Sequence, residues 1–581
     1  MLIPMMLSLQ LAQAGLPADS IDRLRSEARR SAANYERLSR RLIPVRYGVD
    51  GSHCDEIVGR FCLMYDTGRP YVPGPENGRI TDARRSAIEA QRAAFAHIPA
   101  DFETAAPLVR YLVEDERAGE AVSAARLFEI ASGDSIWGPL LRGFAEHAAT
   151  NDSAAERLFR SVLQRMPEDE RREILDVEWV IGNDDGKAWK NMASAERSDF
   201  ETAFWALADP FYLTPGNESW NEHVARHVWS RMLERAPQVG DMLRWGKDLE
   251  ELTVRYGVPS ARTREPGRID HEGALTEHYD PDQLAYTPNE LAGKGPPPAP
   301  LPGRPWELDR ERSRTGYAPA TVRRAVFLPH QATRFPNPNG FTLQIDGLFV
   351  MDSVARPVAT GTDAGLFVLD DLWRVVRTTT TVLPVSRDTA RFHFSADLPV
   401  GSFVYSLEAM ETETRLGGRA RYAIDSPDGD LLLSDPLVAF PWSPAPAPAR
   451  RDDPVLLPRA DLVIGQTDTI GLYAEVRGLS PGNEAMVRLS IEPASGRSLP
   501  ARVVSWLGKR LRLSNPPAPT HLQWSVRADD QGAAVLAVEI FPAEKRDGDQ
   551  VIVLQVTDAA TRNSSTSRRI IRVGSPPSLR R

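Results

Sequence analysis

MLRWGKDLEELTVRYGVP, residues 242–259, follows a helical region with a turn rich in aromatic and charged residues. Trp245 stands beside Gly246, Lys247 and Asp248 come next, and an alternating run leads through Val254 to Tyr256-Gly257-Val258-Pro259. The alternation predicts a short strand, so the segment reads as a turn joining a helix to a strand in a small α+β unit. Trp245 is the expected anchor, a large apolar side chain whose N–H needs a partner when buried. Asp248, just before the expected strand, is placed to accept backbone N–H groups of its own turn. A ligand cradle at the same turn is the alternative reading.

Working upstream, Asp209-Pro210 and Thr214-Pro215 are helix stops, because a residue before proline is pushed out of the helical region. Asn217 or Asn221 can cap the helix that follows, which runs through Arg226 and Arg231. Phe204-Trp205 precedes Asp209-Pro210, and Asn217-Glu218 leads to Asn221-Glu222-His223. Taken with Trp245, Asp248 and the closing Tyr256-Gly257-Val258-Pro259, this order resembles the GWxTD-domain family, exported proteins of certain bacterial phyla. Arg244 stands where the family signature has its first glycine, and Lys247 where it has threonine. Leu249-Glu250-Glu251 replaces a basic-Gly-basic run, so the chain resembles a divergent member. The resemblance covers about 195–480, with LLLSDPLVAF (431–440) and IGLYAEVRGLSP (470–481) similar to later strands of the family. It implies export and no established reaction.

Further upstream, Ile21, Leu24, Ala28, Ala32, Tyr35, Leu38 and Leu42 recur at steps of three and four, predicting a helix from Pro17 to Leu42. Residues 82–175 are helical again. Gly143, Ala155, Phe159, Val162 and Pro167 fall at offsets of 12, 16, 19 and 24. Those offsets resemble the tetratricopeptide repeat, in which a small residue lets two helices cross and proline ends the second. Ala121, Ala125 and Phe128 mark a degenerate copy over helices 104–117 and 119–132. Two such repeats need another domain to lean on.

Downstream, TPNELAGKGPPPAPLPGR (287–304) is a Pro-rich, semi-rigid linker. Short alternating runs follow, from VRRAVFLPH to LLLSDPLVAF, then a second Pro-rich stretch, then runs from TIGLYAEVRGL to SRRIIRVG. They predict two antiparallel β-sandwiches in series. The organisation reads as a signal peptide (1–14), an N-terminal helix and cysteine-containing turn (15–80), a TPR-like helical region (81–190), and the GWxTD-like α+β unit (191–286). A linker (287–317), a sandwich (318–440), a linker (441–458) and a second sandwich (459–575) complete the multidomain α+β chain.

A chain of 581 residues is too long for one core. Hydrophobic content of 42% and a net charge of −9 describe ordinary globular material and argue against a general nucleic-acid binder. The six Lys, none before Lys187, reflect genome composition. After the first dozen residues no apolar run reaches the length that spans a membrane. MLIPMMLSLQLAQAG opens apolar and ends in Ala12-Gln13-Ala14, a pattern signal peptidase accepts, although no basic residue precedes it. Cleavage would leave Gly15 first and place the protein in the periplasm or at the cell surface.

Cys54 and Cys62 are the two cysteines. A helix between them would hold the Cα atoms roughly 12 Å apart, whereas a disulfide needs under about 7 Å. A turn at Gly59 brings them together, so a disulfide is expected in an oxidising compartment, with a pair of buried free thiols as the alternative. A zinc site with His53 lacks two further ligands.

His223 and His227 sit four apart on one helix face, the spacing of a metal pair, but the Glu of the zinc-peptidase motif is absent and Arg226 stands between them. His271-Glu272 and His278 read as loop. Glu168-Asp169-Glu170 follows Pro167 and reads as the acidic first turn of a helix. No G-x-S-x-G, P-loop or G-x-G-x-x-G occurs, while carboxylate pairs assembled in space leave glycoside hydrolysis open. The sequence assigns no catalytic, cofactor or metal residue. It favours an exported binding or scaffold protein whose partner is a protein or a cell-envelope component. The alternative is an envelope enzyme acting on glycan or peptide, and oligomeric state stays open.

Overall fold

The computed structural model describes residues 17–44, 56–63, 74–181, 187, 189–236, 244–259, 261–264, 275–278, 317, 319, 321–322, 324–350, 362–383, 389–411, 413–493, 520–540 and 548–574. The apolar N-terminal segment, Cys54, His271-Glu272, the 287–304 stretch and the expected strand at 501–514 lie outside them. The chain is mixed α+β: among the described residues ten helices lie in the N-terminal half and β-sheets, largely antiparallel, in the C-terminal half. It divides into two compact units, one of 1–295 with 308–323 and one of 296–307 with 324–581.

The first unit begins with α1 (Ala18–Arg41), a hairpin of β1 (Glu56–Val58) and β2 (Phe61–Leu63), and α2 (Gly78–Phe95). The helices α3 (Phe102–Glu114), α4 (Ala118–Ser132), α5 (Trp137–Ala148) and α6 (Asp152–Leu163) pack on one another in chain order. Ala121, Ala125, Phe128, Ala155, Phe159 and Val162 are buried in their shared core. Gly143 of α5 lies against the Phe159 ring so closely that a Cβ there would meet Cε1 at 2.5 Å. The small residue is therefore a condition of the α5–α6 crossing. Pro167 precedes α7 (Glu168–Leu175), whose first turn carries Glu168, Asp169 and Glu170, where carboxylates favour the positive end of the helix dipole.

Next come α8 (Ser194–Ala208), α9 (Glu218–Glu234) and α10 (Lys247–Tyr256), then a small ribbon of β3 (Ala261–Arg264) and β4 (Leu275–His278). Residues 247–256 correct the sequence expectation, since they form a helix and not a strand. Leu252, Val254 and Tyr256 alternate, but Leu249, Leu252 and Tyr256 also fall at steps of three and four, and all three are buried. The ion pairs Lys247–Glu250 and Glu251–Arg255 lie at the i,i+3 and i,i+4 spacings that stabilise a helix. Gly257 then ends α10 with φ +75°, a conformation glycine adopts without a Cβ clash.

In the second unit, a three-stranded sheet has the order β10-β7-β6, and a five-stranded sheet the order β5-β12-β11-β8-β9. These strands are β5 (Arg324–Phe327), β6 (His330–Asn337), β7 (Gly340–Val350), β8 (Thr362–Leu369), β9 (Val375–Leu383), β10 (Thr389–Pro399), β11 (Ser402–Glu411) and β12 (Leu416–Asp425). Residues of both sheets, among them Leu343, Phe394, Leu366 and Leu407, share one core. Pairing is antiparallel except for β5, which lies parallel to β12.

A second pair of sheets follows. Strand β16 (Ile470–Arg477) pairs with β13 (Leu432–Leu433), β14 (Leu437–Ala439) and β19 (Ala533–Ile540). The other sheet has the order β15-β21-β20-β17-β18, from β15 (Val463–Ile464), β17 (Glu484–Pro493), β18 (Thr520–Arg527), β20 (Gly548–Asp558) and β21 (Ser564–Val573). The run 431–440, expected at the end of the first sandwich, thus belongs to the second. The Pro-rich stretch 441–458 does not act as a spacer. It folds back so that Trp442 and Leu456 pack with Phe335, Leu437, Ala439 and Tyr473. Its apolar residues made that contact more favourable than an extended path through water.

The junction is pinned by polar contacts as well. The Gln331 side chain donates to the carbonyls of Val438 and Arg459, each at 2.9 Å, and accepts from Val438 N at 2.7 Å. Arg334 donates to both carboxylate oxygens of Asp435, at 2.8 and 2.7 Å. Strand β6 is therefore bound on its outer side by the segment that feeds the second pair of sheets.

Candidate functional site

The expected motif residues gather around α9 and α10 in the first unit. Asn217 caps α9 by accepting from Trp220 N at 2.9 Å, and its amide donates to Trp205 O at 2.7 Å. The same residue that starts α9 therefore ties it to α8. Phe204 is buried with Phe200, Val180 and Ile181, and Trp205 is partly buried beside His223, ring centroids 4.8 Å apart. Asp209 ends α8 as its C-cap and is buried. Pro210 follows, as its helix-stopping role predicts.

Asp248 faces Arg60 at the tip of the β1–β2 hairpin. The guanidinium donates to Asp248 through Nε at 2.5 Å and Nη2 at 2.8 Å, and the Arg60 and Leu249 backbone N–H groups add bonds at 3.2 and 2.9 Å. These bonds, the Arg60 side chain first, hold the carboxyl down at about 2. Gly59, with φ +51°, makes the approach feasible, since a Cβ there would stand 2.4 Å from Asp248 Cβ. At the other end of α10, the fully buried Arg255 donates to both oxygens of Glu56, at 2.9 and 2.8 Å. Val58, Phe61, Leu249, Leu252 and Tyr256 form one small core between the hairpin and α10. Trp245 packs on it partly buried, a flank of this core where the sequence suggested a buried anchor. Lys247 is 74% exposed. Gly257 touches the Arg226 guanidinium, and Pro259 follows with intermediate exposure.

The turn expected near Gly59 is present as the β1–β2 hairpin. The chain reverses at Gly59-Arg60, with Ile57 opposite Cys62 in the register. Cys54 lies outside the described residues, as does the Cys62 side chain.

A second group of charges lies between α5, α6 and α9. His147 bridges Asp152 (Nδ1···Oδ1 2.6 Å) and Glu222 (Nε2···Oε2 2.7 Å). Burial opposes a charged imidazole, but the two carboxylates prevail and push its pKa up to about 10. Burial also opposes the Glu222 carboxylate, yet Arg226 and His147 hold it at about 2. Arg226 donates to Glu222 at 2.5 Å and to the carbonyls of Val254 and Arg255 at 3.2 and 2.8 Å. Asn221 reaches back to Asp152, donating to its carbonyl and carboxylate at 3.0 and 3.1 Å. The array is a chain of alternating charge from α6 to the end of α10. A histidine held protonated between two carboxylates is an ion-pair partner and not a proton acceptor at neutral pH.

His223 and His227 are both buried on α9. His223 Nε2 lies 2.8 Å from Ile174 O, so it is the donating nitrogen. Burial drops His223 to about 4 and lowers His227 well below its ordinary value. Both rings are neutral packing elements, His227 stacked on Trp179 and His223 tilted against Trp205. Among the described residues no three His, Cys, Asp or Glu side chains are grouped as a metal site. Glu218, 2% exposed, has its pKa pushed up to about 7, by burial first and Asp152 second.

Sequence reading located α9 but missed Arg60, His147 and Asp152 as partners of Asp248 and Glu222. No spacing signal links them, because Arg60 and Asp248 lie 188 positions apart.

No family model matches this chain, and no curated protein matches it. Among solved structures, the crystal structure of red sea bream transglutaminase is similar at 9% identity, over 42% of this chain and 31% of that one, with a TM-score of 0.13. A likeness this weak carries no argument about fold or activity.

Proposed function

We propose that this chain is an exported multidomain binding or scaffold protein, a divergent relative of the GWxTD-domain family, with a TPR-like helical region and two β-sandwiches. The observation that carries the reading is how the motif's polar groups are used. Asp248 is engaged by Arg60, Arg255 by Glu56, and Arg226 by Glu222 and two carbonyls. Groups bound in this way position chain segments and are not free to bind a substrate. Glu218 has the perturbed pKa expected of a catalytic acid, but its burial keeps substrate from it.

The successive packing of α2 to α6, with Gly143 at a crossing, supports the repeat reading, and repeats of this kind bind proteins along an extended surface. The partner is a protein or a cell-envelope component. Full-length chain immobilised against cell-envelope extract, with captured proteins identified by mass spectrometry, is expected to retrieve a saturable partner whose capture needs the helical region. Turnover of glycan or peptide by the purified chain, without such a partner, would overturn the proposal. Export carries its own check, since the native protein is expected to begin near Gly15.

A further inference from the structure

Strand β9, VVRTTTTVL at 375–383, ends the five-stranded sheet, and every residue of it except Leu383 is exposed. A strand with one face on a core alternates, as β10 does. Here the core-side face is uncovered too. Thr379 and Thr381 lie opposite Leu366 and Ala364 of β8, which point into the core, yet both threonines are exposed. Val376 and Val382 are 44% and 65% exposed.

Exposed edges invite pairing with another strand, and proteins blunt them with shortness, proline, charge, bulges or cover. Two other edges of this pair of sheets are blunted. Strand β5 is four residues long, and β6 contains Pro336 and is bound along its outer side by the 435–438 segment. Strand β9 is nine residues long, with no proline, lysine or glycine, and its one charge, Arg377, and its register irregularity are both confined to the outer end.

We propose that β9 pairs antiparallel with β9 of a second copy of this chain, about a two-fold axis at Thr379. The sequence is the argument for that occupant. About Thr379, Thr378 meets Thr380 of the other copy and Arg377 meets Thr381, with Val376, which the β8–β9 register skips, at the outer end beside Val382. Threonine and β-branched cross-strand pairs are favourable, and no like charges stand opposite. The two Arg377 side chains are offset by four residues, roughly 14 Å along the strand, beyond the Debye length of about 8–10 Å. The irregularity between Val368 and Leu369 in the β8–β9 register falls at the outer end of the pairing and leaves 377–382 regular. The two five-stranded sheets then become one sheet through both copies.

Size-exclusion chromatography with light scattering on the full chain tests this. Wild type is expected at twice the 64.3 kDa chain mass. Thr379→Lys and Thr379→Glu each place like charges across the axis and are expected to halve the mass with unchanged circular dichroism. Mixing the two variants restores the dimer. Thr379→Cys provides a second readout, because residues directly opposite have Cβ atoms about 4.5–5.5 Å apart. Mild oxidation is expected to link two copies at this position and not at the exposed Val400→Cys. A monomeric wild type, as expected if the edge instead receives a strand of another protein, would overturn the proposal. So would a dimer that survives both charge substitutions, or a mixture that stays monomeric.

Discussion

Replacing His147 with Gln tests the buried charge chain around α9. The imidazole titrates at about 10 in the folded protein against an ordinary 6.5. A folded pKa above the unfolded one means that the folded state binds the proton more tightly. The stabilisation is complete below pH 6.5 and is lost as pH rises toward about 10. At about 1.4 kcal/mol per pH unit, that span sets a ceiling near 5 kcal/mol. Truncating one partner of a buried pair costs about 3–5 kcal/mol, because Asp152 and Glu222 would be left without the cation between them. His147→Gln is therefore expected to lose about 3–5 kcal/mol at pH 6, with the deficit shrinking as pH approaches 10 and the wild-type imidazole loses its proton. Urea unfolding at a series of pH values, followed by far-UV circular dichroism of the helical unit, measures it. A deficit that does not change between pH 6 and 10, or one below about 1 kcal/mol, would refute the assignment of a charged histidine.

Gly143→Ala sets helix propensity, a gain of about 1 kcal/mol, against a Cβ placed 2.5 Å from the buried Phe159 ring. Overpacking costs about 1–3 kcal/mol, so net destabilisation is expected, relieved in the Gly143→Ala, Phe159→Leu double variant; a rise in melting temperature for the single variant would contradict the tight crossing. Trp245→Ala, at a half-buried flank, is expected to cost about 1–2 kcal/mol in thermal melts, below the roughly 3–5 kcal/mol of a core aromatic. Lys247→Thr, at a position 74% exposed, is expected to stay within about 0.5 kcal/mol of wild type.

Much of the helical half is legible in sequence because its signals are local. The three-four spacing gives α1, the Gly143–Phe159 offset gives a crossing, and Asn217 or Asn221 marks the start of α9, which the structure assigns to Asn217. The α10 helix was misread because Leu252, Val254 and Tyr256 satisfy a two-residue period while the buried set satisfies 3.6. Strand β9 carries four threonines in succession and shows no alternation, and β6 opens on His330-Gln331 and contains Pro336, so neither announces itself as a strand. The partner of 432–439 was misplaced because a Pro-rich stretch resembles a spacer until its Trp442 and Leu456 find a surface. The contacts that make the motif intelligible, Asp248 with Arg60 and Arg255 with Glu56, join residues nearly 200 positions apart, and one sequence offers no local pattern for them.

Asp248 clamps the β1–β2 hairpin onto α10 through its bonds to Arg60. Hydrogen exchange of the full chain, read by mass spectrometry on peptides covering 56–63 and 218–234, tests it in wild type and in Asp248→Ala. Removing the carboxylate takes away the bonds to the Arg60 guanidinium and backbone, so the hairpin amides are expected to lose protection while α9 keeps its own. Unchanged protection at 56–63 in Asp248→Ala would contradict the clamp.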